Sequence, residues 1–264
     1  MPVALIATDL DGTLIRSDGI VSERTRMAIR AAQTAGIKVA FVTARPPRDV
    51  ETLAESLGLT GLAVCCNGAL LYDLAKREVV GSHHFEADVG RAIITDLRRW
   101  VPGVSFAIQH GADFSQEHTF PPYWDDWQAE PVQRVGCAVP LLEESVAKII
   151  AHHPSHDAEA MSELVGARVY DRAQISHSGL PIVELAPAGI SKGSGLGFLC
   201  NGLGIRSGDV VAFGDMPNDL EMLAFAGHSV AVANAHPRVL GAVNEVTLTN
   251  DDDGVAVVIE RLLA

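Results

Sequence analysis

Basic residues are scarce in this sequence. The 264 residues include 20 Lys and Arg against 33 Asp and Glu, which gives a formal net charge of −13, and no Lys/Arg cluster offsets that average. Nucleic-acid binding depends on neutralising backbone phosphates, so we expect no nucleic-acid partner. The same negative charge repels phosphorylated molecules at long range, and any phosphate site in this chain must therefore be locally cationic.

Cysteines and long apolar runs are also few. The four cysteines are Cys65, Cys66, Cys137 and Cys200. Their spacing does not match a metal site, so we expect buried free thiols in a reducing compartment. The N-terminal apolar run, residues 3–7, is too short for a signal peptide or a membrane span. The sequence thus predicts a soluble cytoplasmic protein without a membrane partner, and leaves open whether it is a monomer or a homodimer.

The order of apolar runs predicts an α/β fold. Strand and helix signals alternate over residues 1–82 and again over 188–264, as in βαβ units with a parallel sheet. Residues 83–187 differ, because they hold most of the aromatic residues and several half-polar runs that favour antiparallel strands. We therefore predict a Rossmann-like parallel sheet core interrupted by an inserted α+β domain.

The individual elements can be placed along the chain. We predict core strands at 3–7, 37–42, 62–66, 210–213, 229–232 and 246–248. We predict helices at 22–33, 49–57, 194–203 and 218–226, with a final helix after 254. In the inserted segment we predict strands at 104–109, 132–139, 168–170 and 181–186.

The turn after the first apolar run carries the strongest chemical signal. Asp9 and Asp11 lie where a buried strand meets a turn at Gly12. Residues two apart on a strand point to the same side, so both carboxylates can face one ligand. Two like charges raise each other's pKa unless a cation lies between them, and Mg²⁺ bound by carboxylates and phosphate oxygens removes that conflict. The turn therefore predicts a metal-assisted phosphoryl-transfer site.

An Asp-x-Asp-Gly turn also has simpler interpretations. Asp and Gly favour turn geometry by themselves. A calcium-binding EF-hand loop is excluded, because its pattern requires Gly at the sixth position and Glu at the twelfth, whereas Gly12 is fourth and Ile20 is twelfth. A second such turn, residues 251–254, is better explained as an acidic cap on the C-terminal helix.

Polar residues directly follow the apolar strands of the predicted sheet. They are Asp9 and Asp11, Thr43, Asn67 and Asp215. In open α/β sheets, ligands bind beyond the carboxyl ends of the strands. Phosphoryl transfer needs a nucleophile, metal ligands, hydrogen-bond donors for the phosphoryl oxygens and a cation for developing charge. The order of these residues predicts one site of that kind.

Candidates for the first roles lie in the N-terminal half. Asp9 can supply a carboxylate nucleophile, as the aspartyl-phosphate route requires. Thr43 and the backbone amides of Ala44 and Arg45 can bind phosphoryl oxygens. A threonine at a strand end is by itself more often a cap, so this assignment depends on the set.

Candidates for the remaining roles lie in the C-terminal half. Asp215 adds a carboxylate for a metal, and Asn218 and Asp219 follow it at a helix N-terminus. Lys192, ahead of a glycine-rich helix start, can give a point positive charge. A Ser-Lys-Gly or Gly-Asp turn alone is usually only a turn.

Together these motifs resemble those of the haloacid dehalogenase-like (HAD) phosphatases. The segments that carry the resemblance are 9–13, 43–45, Lys192 and 214–219. Segments 67–69, 191–193 and 250–256 resemble more narrowly the Cof-type subgroup. The resemblance implies a discontinuous catalytic core, 1–82 and 188–264, and an inserted C2-type cap domain, 83–187. Met216 and Pro217 depart from the small or polar residues common in the family.

The resemblance also implies a mechanism and a cofactor. Asp9 would attack phosphorus to form a phosphoaspartate, and Asp11 would protonate the leaving oxygen and later activate water. Mg²⁺ would be bound by Asp9, the main-chain carbonyl of Asp11, and Asp215. Lys192 would bridge the nucleophile and the phosphoryl group.

Other site residues follow from the same motifs. Asp219 and Asn218 would support the metal ligands or their waters. Substrate, expected to be a small phosphate monoester such as a sugar phosphate, would be bound by Ala44, Arg45, Asn67, Gly68 and Asn218. The leaving group stays open, since a nucleotide, pyridoxal phosphate or a flavin phosphate fits the motifs equally.

Three other functions were compared with a phosphatase. A phosphomutase differs in cap closure, which the sequence does not show. A non-catalytic phosphometabolite-binding protein would not need a nucleophile beside a proton donor. A dinucleotide enzyme is suggested only by Gly195-Leu196-Gly197, and Cys200 occupies the place of the third glycine.

Two features of the inserted segment have competing interpretations. The pairs His83-His84 and His152-His153 resemble zinc ligands, but adjacent residues on a strand point to opposite faces, so a packed or solvated role is favoured. The segment Trp124-Asp125-Asp126-Trp127 is expected to belong to the apolar core of the cap rather than to contact substrate.

Overall fold

The computed structural model describes residues 3–111, 113–121, 134–142, 146–178 and 180–264. The segment Trp124–Trp127 lies outside the described residues. The elements up to residue 82 are Leu5–Thr8 (β1), Glu23–Thr34 (α1), Lys38–Phe41 (β2), Pro47–Leu57 (α2), Leu62–Cys65 (β3), Leu70–Asp73 (β4) and Glu78–Ser82 (β5).

The inserted segment and the C-terminal part supply the other elements. The middle of the chain forms Ala87–Trp100 (α3), Ser105–His110 (β6), Asp113–Gln116 (β7), Arg134–Val135 (β8), Ala138–Leu141 (α4), Lys148–His152 (β9), Ala158–Val169 (α5), Ala173–Ser176 (β10) and Val183–Pro187 (β11). The C-terminal part forms Lys192–Leu203 (α6), Val210–Gly214 (β12), Leu220–Phe225 (α7), His228–Ala231 (β13), Pro237–Leu240 (α8), Glu245–Val246 (β14) and Gly254–Leu263 (α9).

A five-stranded parallel sheet, the core sheet, brings the two ends of the chain together. Its order is β14-β13-β12-β1-β2, so β1 lies between the strand from residue 38 and the strand from residue 210. Strand β1 is buried throughout, as its apolar run requires. Strand β3 lies beside β2, to which a single parallel bridge joins it, Val42 to Val64. It also forms a separate antiparallel sheet with β4 and β5. The carboxyl ends of β1, β2 and β12 consequently lie at one edge.

Capping residues fix where the helices begin and end. Helix α1 starts after Ser22, whose hydroxyl accepts from the backbone N–H of Thr25, and α2 ends at Gly58. The expectation of a helix from residue 194 was two residues late. Ser191 and Ser194 exchange side-chain and backbone hydrogen bonds in a capping box, so α6 begins at Lys192.

A six-stranded sheet, the cap sheet, is built from the inserted segment. Its order is β10-β11-β9-β6-β7-β8, antiparallel except between β7 and β8. The strand predicted at 168–170 was wrong, because these residues end helix α5 and its C-cap. The strand predicted at 132–139 was wrong at its end, since 138–141 are helical; residues 132 and 133 lie outside the described part. Short apolar runs do not by themselves distinguish a strand from a buried helix turn.

The apolar interior is divided in the same way. One cluster of buried residues packs around the core sheet, and separate clusters pack around the cap sheet with α3 and α5. The predicted α/β fold with an inserted α+β unit is confirmed. We propose the division into 1–82 with 188–264 and 83–187 on the strength of these separate clusters.

Two smaller expectations were wrong. All four cysteines are free, but Cys137 is exposed rather than buried. The acidic residues of 251–254 do not cap α9 with their side chains, because Asp253 makes no capping hydrogen bond. Its carboxylate instead pairs with Arg16, and Asp251 accepts from the backbone and hydroxyl of Ser17. None of the described helices has the length and apolar character needed to cross a membrane.

Candidate active site

A buried lysine joins two carboxylates at the edge of the core sheet. Lys192 Nζ donates to Asp9 Oδ1 at 2.6 Å and to Asp219 Oδ1 at 2.7 Å. Asp9 directly follows β1, while Lys192 is the first residue of α6. Burial alone would lower the pKa of Lys192, but the charges of Asp219 and Asp9 raise it above its usual value. The ammonium group therefore stays charged beside the proposed nucleophile.

A third carboxylate completes the cluster. Oxygens of Asp9, Asp215 and Asp219 lie within 4.8 Å of one another, and among the described residues this is the group suited to hold a metal. Thr13 Oγ1 donates to Asp215 Oδ1 at 3.0 Å. Gly12 has φ +75°, and a Cβ there would lie 2.4 Å from Asp215 Oδ2, so glycine is required on both grounds.

Asp219 is held more tightly than the other two carboxylates. Its Oδ2 accepts the backbone N–H groups of Asp215 and Met216, both at 3.0 Å, and its Oδ1 accepts from Lys192. Both oxygens are thus already occupied. Asp219 orients the turn and Lys192, which leaves Asp9 and Asp215 with oxygens available to a cation.

Asp11 lies apart from this cluster. Its carboxylate is held by Arg45, whose Nε donates to Asp11 Oδ2 at 2.8 Å while Nη2 donates to Oδ1. The Asp11 side chain is 42% exposed, whereas Asp9 is buried. Strand β1 ends at Thr8, so strand alternation does not govern how Asp9 and Asp11 are oriented. Arg45, predicted to bind substrate, bonds Asp11 here, and its role toward substrate stays a prediction.

Thr43 and Asn67 lie together at the ends of β2 and β3. The backbone N–H of Asn67 donates to the Thr43 carbonyl at 3.0 Å. Asn218 Nδ2 donates to Asn67 Oδ1 at 3.2 Å, which links this pair to the turn before α7. Gly68 has φ +99° and approaches α6 so closely that a Cβ would lie 2.0 Å from the Ser191 carbonyl oxygen. Glycine is therefore required at position 68 for the start of α6 to approach this closely, and a substrate contact of Gly68 stays a prediction.

The second acidic turn supports the loop after Asp9. Asn250 Nδ2 donates to the Ile15 carbonyl at 2.9 Å, and Asn234 Nδ2 donates to the Gly12 carbonyl at 2.8 Å. Asn234 Oδ1 in turn accepts the backbone N–H of Asn250. The 250–256 segment thus fixes the loop that carries Gly12 and Thr13 against the sheet.

A cavity of about 250 Å³ lies between the carboxylate cluster and the cap sheet. On the core side it is lined by Asp9, Asp11, Ala44, Lys192, Met216 and Asn218. On the cap side it is lined by Gln109, Phe114, Lys148, Ile150, Ile182 and Glu184. Met216, which departs from the family pattern, therefore lines the cavity itself.

Four charged residues that line the cavity were not predicted from the sequence: Arg48 and Asp49 from the core, and Lys148 and Glu184 from the cap. Lys148 and Glu184 lie on neighbouring cap strands, are buried, and form an ion pair. Lys148 interrupts the apolar run 146–151, and Glu184 interrupts the apolar run 182–186. A charged residue within an apolar run was the signal in the sequence that pointed to each position. A charge within such a run is rarely buried unless it is paired, so both positions could have been identified.

Burial changes the proton affinity of the carboxylate cluster. Desolvation, followed by the charge of Asp219, raises the pKa of Asp215 to about 7, and desolvation raises the pKa of Asp9 well above its usual value. Between pH 4 and pH 7 the folded, metal-free chain therefore binds protons that the unfolded chain releases. Stability falls as pH rises wherever the folded state binds more protons. The raised pKa of Lys192 adds no slope here, because lysine is protonated in both states at these pH values.

We expect the melting temperature of the metal-free protein to fall by several degrees between pH 5 and pH 8. Mg²⁺ is expected to raise it more at pH 8 than at pH 5, because metal binding requires deprotonated carboxylates. Differential scanning calorimetry with and without Mg²⁺ measures both effects, and Asp215→Asn is the control that should flatten the profile. Identical pH profiles for the two proteins would contradict this account.

Comparison with known proteins adds independent information. The family model described as haloacid dehalogenase-like hydrolase matches residues 6–259. The chain is 30% identical to the 5-amino-6-(5-phospho-D-ribitylamino)uracil phosphatase YwtE of Bacillus subtilis (strain 168), over 98% of each chain. It is 27% identical to the HMP-PP phosphatase of Cronobacter sakazakii, over 89% of this chain and 85% of that one.

A solved structure shows the same architecture. A haloacid dehalogenase-like hydrolase from Bacteroides thetaiotaomicron is 29% identical, with a TM-score of 0.81 over 98% of this chain and 99% of that chain. The expected reaction class, phosphoric monoester hydrolysis, is confirmed by these relationships. Because the family model matches nearly the whole length of the chain, the chain belongs to the haloacid dehalogenase-like hydrolase family.

Proposed function

We propose that this enzyme is a Mg²⁺-dependent phosphatase that hydrolyses a small phosphorylated metabolite through a phosphoaspartate on Asp9. The observation that carries the proposal is the buried cluster of Lys192 with the carboxylates of Asp9, Asp215 and Asp219, of which Asp9 and Lys192 line the cavity between core and cap. Fully deprotonated, three carboxylates and one ammonium group would leave a net negative charge in a buried place. Protons neutralise part of that charge in the metal-free protein, because burial raises the pKa of Asp9 and of Asp215, and a further cation would replace those protons.

The donor set fits a hard divalent ion. Carboxylate oxygens are the ligands that Mg²⁺ takes in proteins, usually one or two of them with substrate phosphate oxygens. Asp9 and Asp215 would hold the ion, and Asp219 would support them through its bonds to Lys192 and the turn. The bound ion would neutralise charge on the phosphoryl oxygens. The predicted main-chain ligand, the Asp11 carbonyl, stays part of the proposal.

The residues of the chain then perform two steps. An Asp9 carboxylate oxygen attacks phosphorus as the bond to the leaving oxygen breaks, and Asp11 gives its proton to that oxygen. Water then attacks the phosphoaspartate, Asp11 accepts its proton, and phosphate leaves with Asp9 restored. Lys192 and the backbone amide of Ala44 bind the phosphoryl oxygens. Arg45 holds Asp11 at the wall of the cavity, where the leaving oxygen would lie.

The size and lining of the cavity favour a small leaving group. A volume of about 250 Å³ lies below the roughly 300–1,000 Å³ typical of pockets for drug-sized ligands. Apolar side chains of the cap, among them Phe114 and Ile182, alternate with the charged pair Lys148 and Glu184. The relatives named for uracil-derivative and HMP-PP phosphatase activities support a low-mass phosphate ester. A cytoplasmic location remains a prediction.

A phosphate-release screen tests this function. Purified enzyme with Mg²⁺ is offered sugar phosphates, phosphorylated pyrimidines, pyridoxal phosphate, FMN and nucleotides, and the values of kcat/KM are compared. We expect release of inorganic phosphate, with the small esters preferred over FMN and nucleotides. The Asp9→Asn protein is the control for contaminating phosphatases. Isomerisation of a sugar phosphate without phosphate release would indicate a phosphomutase, and binding without turnover would indicate a binding protein.

A further inference from the structure

Buried lysines are concentrated at the cavity. The sequence contains four lysines, and the structure buries two of them, Lys148 and Lys192, while Lys38 and Lys76 are exposed. Both buried lysines line the cavity. Lys192 is accounted for by Asp9 and Asp219. Lys148 comes from the cap sheet and has no part in the chemistry described above.

Lys148 and Glu184 make contacts on both sides of the cavity. They pair with each other on adjacent strands β9 and β11, and their side chains are only 4% and 3% exposed. Lys148 Nζ also donates to the Ala44 carbonyl at 2.9 Å. Glu184 Oε2 accepts from Asn67 Nδ2 at 3.0 Å. The ion pair itself therefore lies within the cap sheet, whereas Lys148 and Glu184 each form one further hydrogen bond with a residue of the core.

The first of these contacts fixes the loop after Thr43. The Ala44 carbonyl belongs to the same planar peptide unit as the backbone N–H of Arg45, which donates to Thr43 Oγ1 at 3.1 Å. Holding the carbonyl therefore orients that peptide unit. Arg45 in turn holds the carboxylate of Asp11. Lys148 thus acts on the proposed proton donor through two intervening residues.

The second contact fixes Asn67. This residue has φ +54°, in the left-handed region that non-glycine residues seldom adopt, so its conformation must be held by its surroundings. Its backbone N–H bonds the Thr43 carbonyl and its Oδ1 accepts from Asn218. Glu184 accordingly anchors the residue that joins the Thr43 loop to the turn that carries Asp219.

Stability alone does not account for this pair. A buried ion pair contributes little net stability compared with apolar side chains of similar volume, because both charges lose their hydration. Contacts with the core exist only while the cap sheet lies against it. A function in the closed arrangement explains why two charges are placed where apolar residues would fit.

We propose that Lys148 and Glu184 are positioning residues, which align the Thr43–Arg45 loop and Asn67 for phosphoryl transfer when the cap lies on the core. The inference rests on the proposed function, because it assigns the geometry of that same site to cap residues. Neither side chain is required to touch the leaving group. Their effect is therefore on the rate of the chemical step rather than on which ester is accepted.

Lys148→Met tests the contact with Ala44, and Lys76→Met, at an exposed position outside the site, is the matched control. Kinetics are measured with acetyl phosphate and with p-nitrophenyl phosphate, which differ in leaving-group size. We expect kcat to fall roughly 10- to 100-fold on both, as for a displacement of about 1 Å, with little change in KM. An unchanged kcat, or a loss confined to the larger ester, would overturn the positioning role.

A double variant separates positioning from stability. Lys148→Met leaves Glu184 as a buried carboxylate without its cation, so a lower melting temperature is expected. Lys148→Met combined with Glu184→Gln removes that charge and keeps an acceptor for Asn67. The double variant is expected to regain most of the melting temperature while kcat stays low. Recovery of kcat together with the melting temperature would show a structural role only.

Hydrogen exchange tests the same inference without catalysis. Backbone amides of residues 43–45 and 66–68 are expected to exchange faster in Lys148→Met than in the unmodified protein or in Lys76→Met. Unchanged exchange overturns the positioning role, whatever the activity. If the unmodified protein released no phosphate from any ester, the proposed function would fail, and the exchange data would still decide whether the cap pair holds the loop.

Discussion

Asp9→Asn is expected to abolish phosphate release, with kcat lower by at least ~10⁴-fold, as for loss of a catalytic nucleophile. An amide oxygen is a poor nucleophile and forms no stable counterpart of the acyl phosphate that a carboxylate forms. The fold should persist, since asparagine has the shape of aspartate and Lys192 keeps its partner Asp219. Burial raises the pKa of the Asp9 carboxyl because a buried charge is costly, and the neutral amide of asparagine avoids that cost. Phosphate release and the melting temperature are the two measurements.

A control of the same chemistry makes this result specific. Asp88→Asn replaces a side chain that is 96% exposed, on the first turn of α3, and should leave kcat unchanged. Phosphoryl transfer can also be followed directly, by mass spectrometry of acid-quenched enzyme during turnover. A mass increase of one phosphoryl group is expected in the unmodified protein and not in Asp9→Asn. Turnover by Asp9→Asn near the normal rate would remove Asp9 from the mechanism.

Chelation is expected to have an effect of similar size. After exhaustive treatment with EDTA, phosphate release should cease, and Mg²⁺ in excess should restore it. The reason is the charge of the site: within the described part of the chain, Lys192 is the one basic side chain bonded to the carboxylates of Asp9 and Asp219, and deprotonated Asp215 adds a further negative charge. Without a second cation, the incoming phosphate ester meets a site of its own sign.

Two controls accompany the chelation experiment. EDTA already saturated with Mg²⁺ should leave activity intact, which separates metal removal from any effect of the chelator. Mg²⁺ should raise the melting temperature of the unmodified protein, and should do so less in Asp215→Asn, because binding to the folded state stabilises it. Full activity after chelation would mean that the carboxylate cluster works without a metal.

The sequence predicted the core better than the cap for a physical reason. Parallel strands buried on both faces read as continuous apolar runs, so β1, β2 and β12 were placed to within about two residues. Apolar runs of the cap, such as those of β6 and β9, include polar residues, and the run at 168–170 fits a strand as well as the last turn of α5. Local pattern does not decide such cases, because packing against the rest of the cap sheet does.

The same contrast holds for the site. Asp9, Thr43 and Asp215 each follow a strand, and parallel strands end at a common edge, so their neighbourhood followed from the sequence. Their partners did not. That Arg45 holds Asp11, and that Asn67 joins Asn218 to Glu184, depends on side-chain directions across elements far apart in the chain.

The amino-acid order alone therefore predicted the sheet edge and the residue types of the chemistry, because strand periodicity and turn residues act over a few neighbours. The family entered only through the resemblance of the motifs at that edge. Only the tertiary structure decided which charges meet. Lys148 and Glu184 lie 36 positions apart and reach the core from a different sheet, and Asp9 and Lys192 are separated by 183 positions. Pairing over such separations is set by which strands and helices the fold places side by side, which no local run of residues encodes.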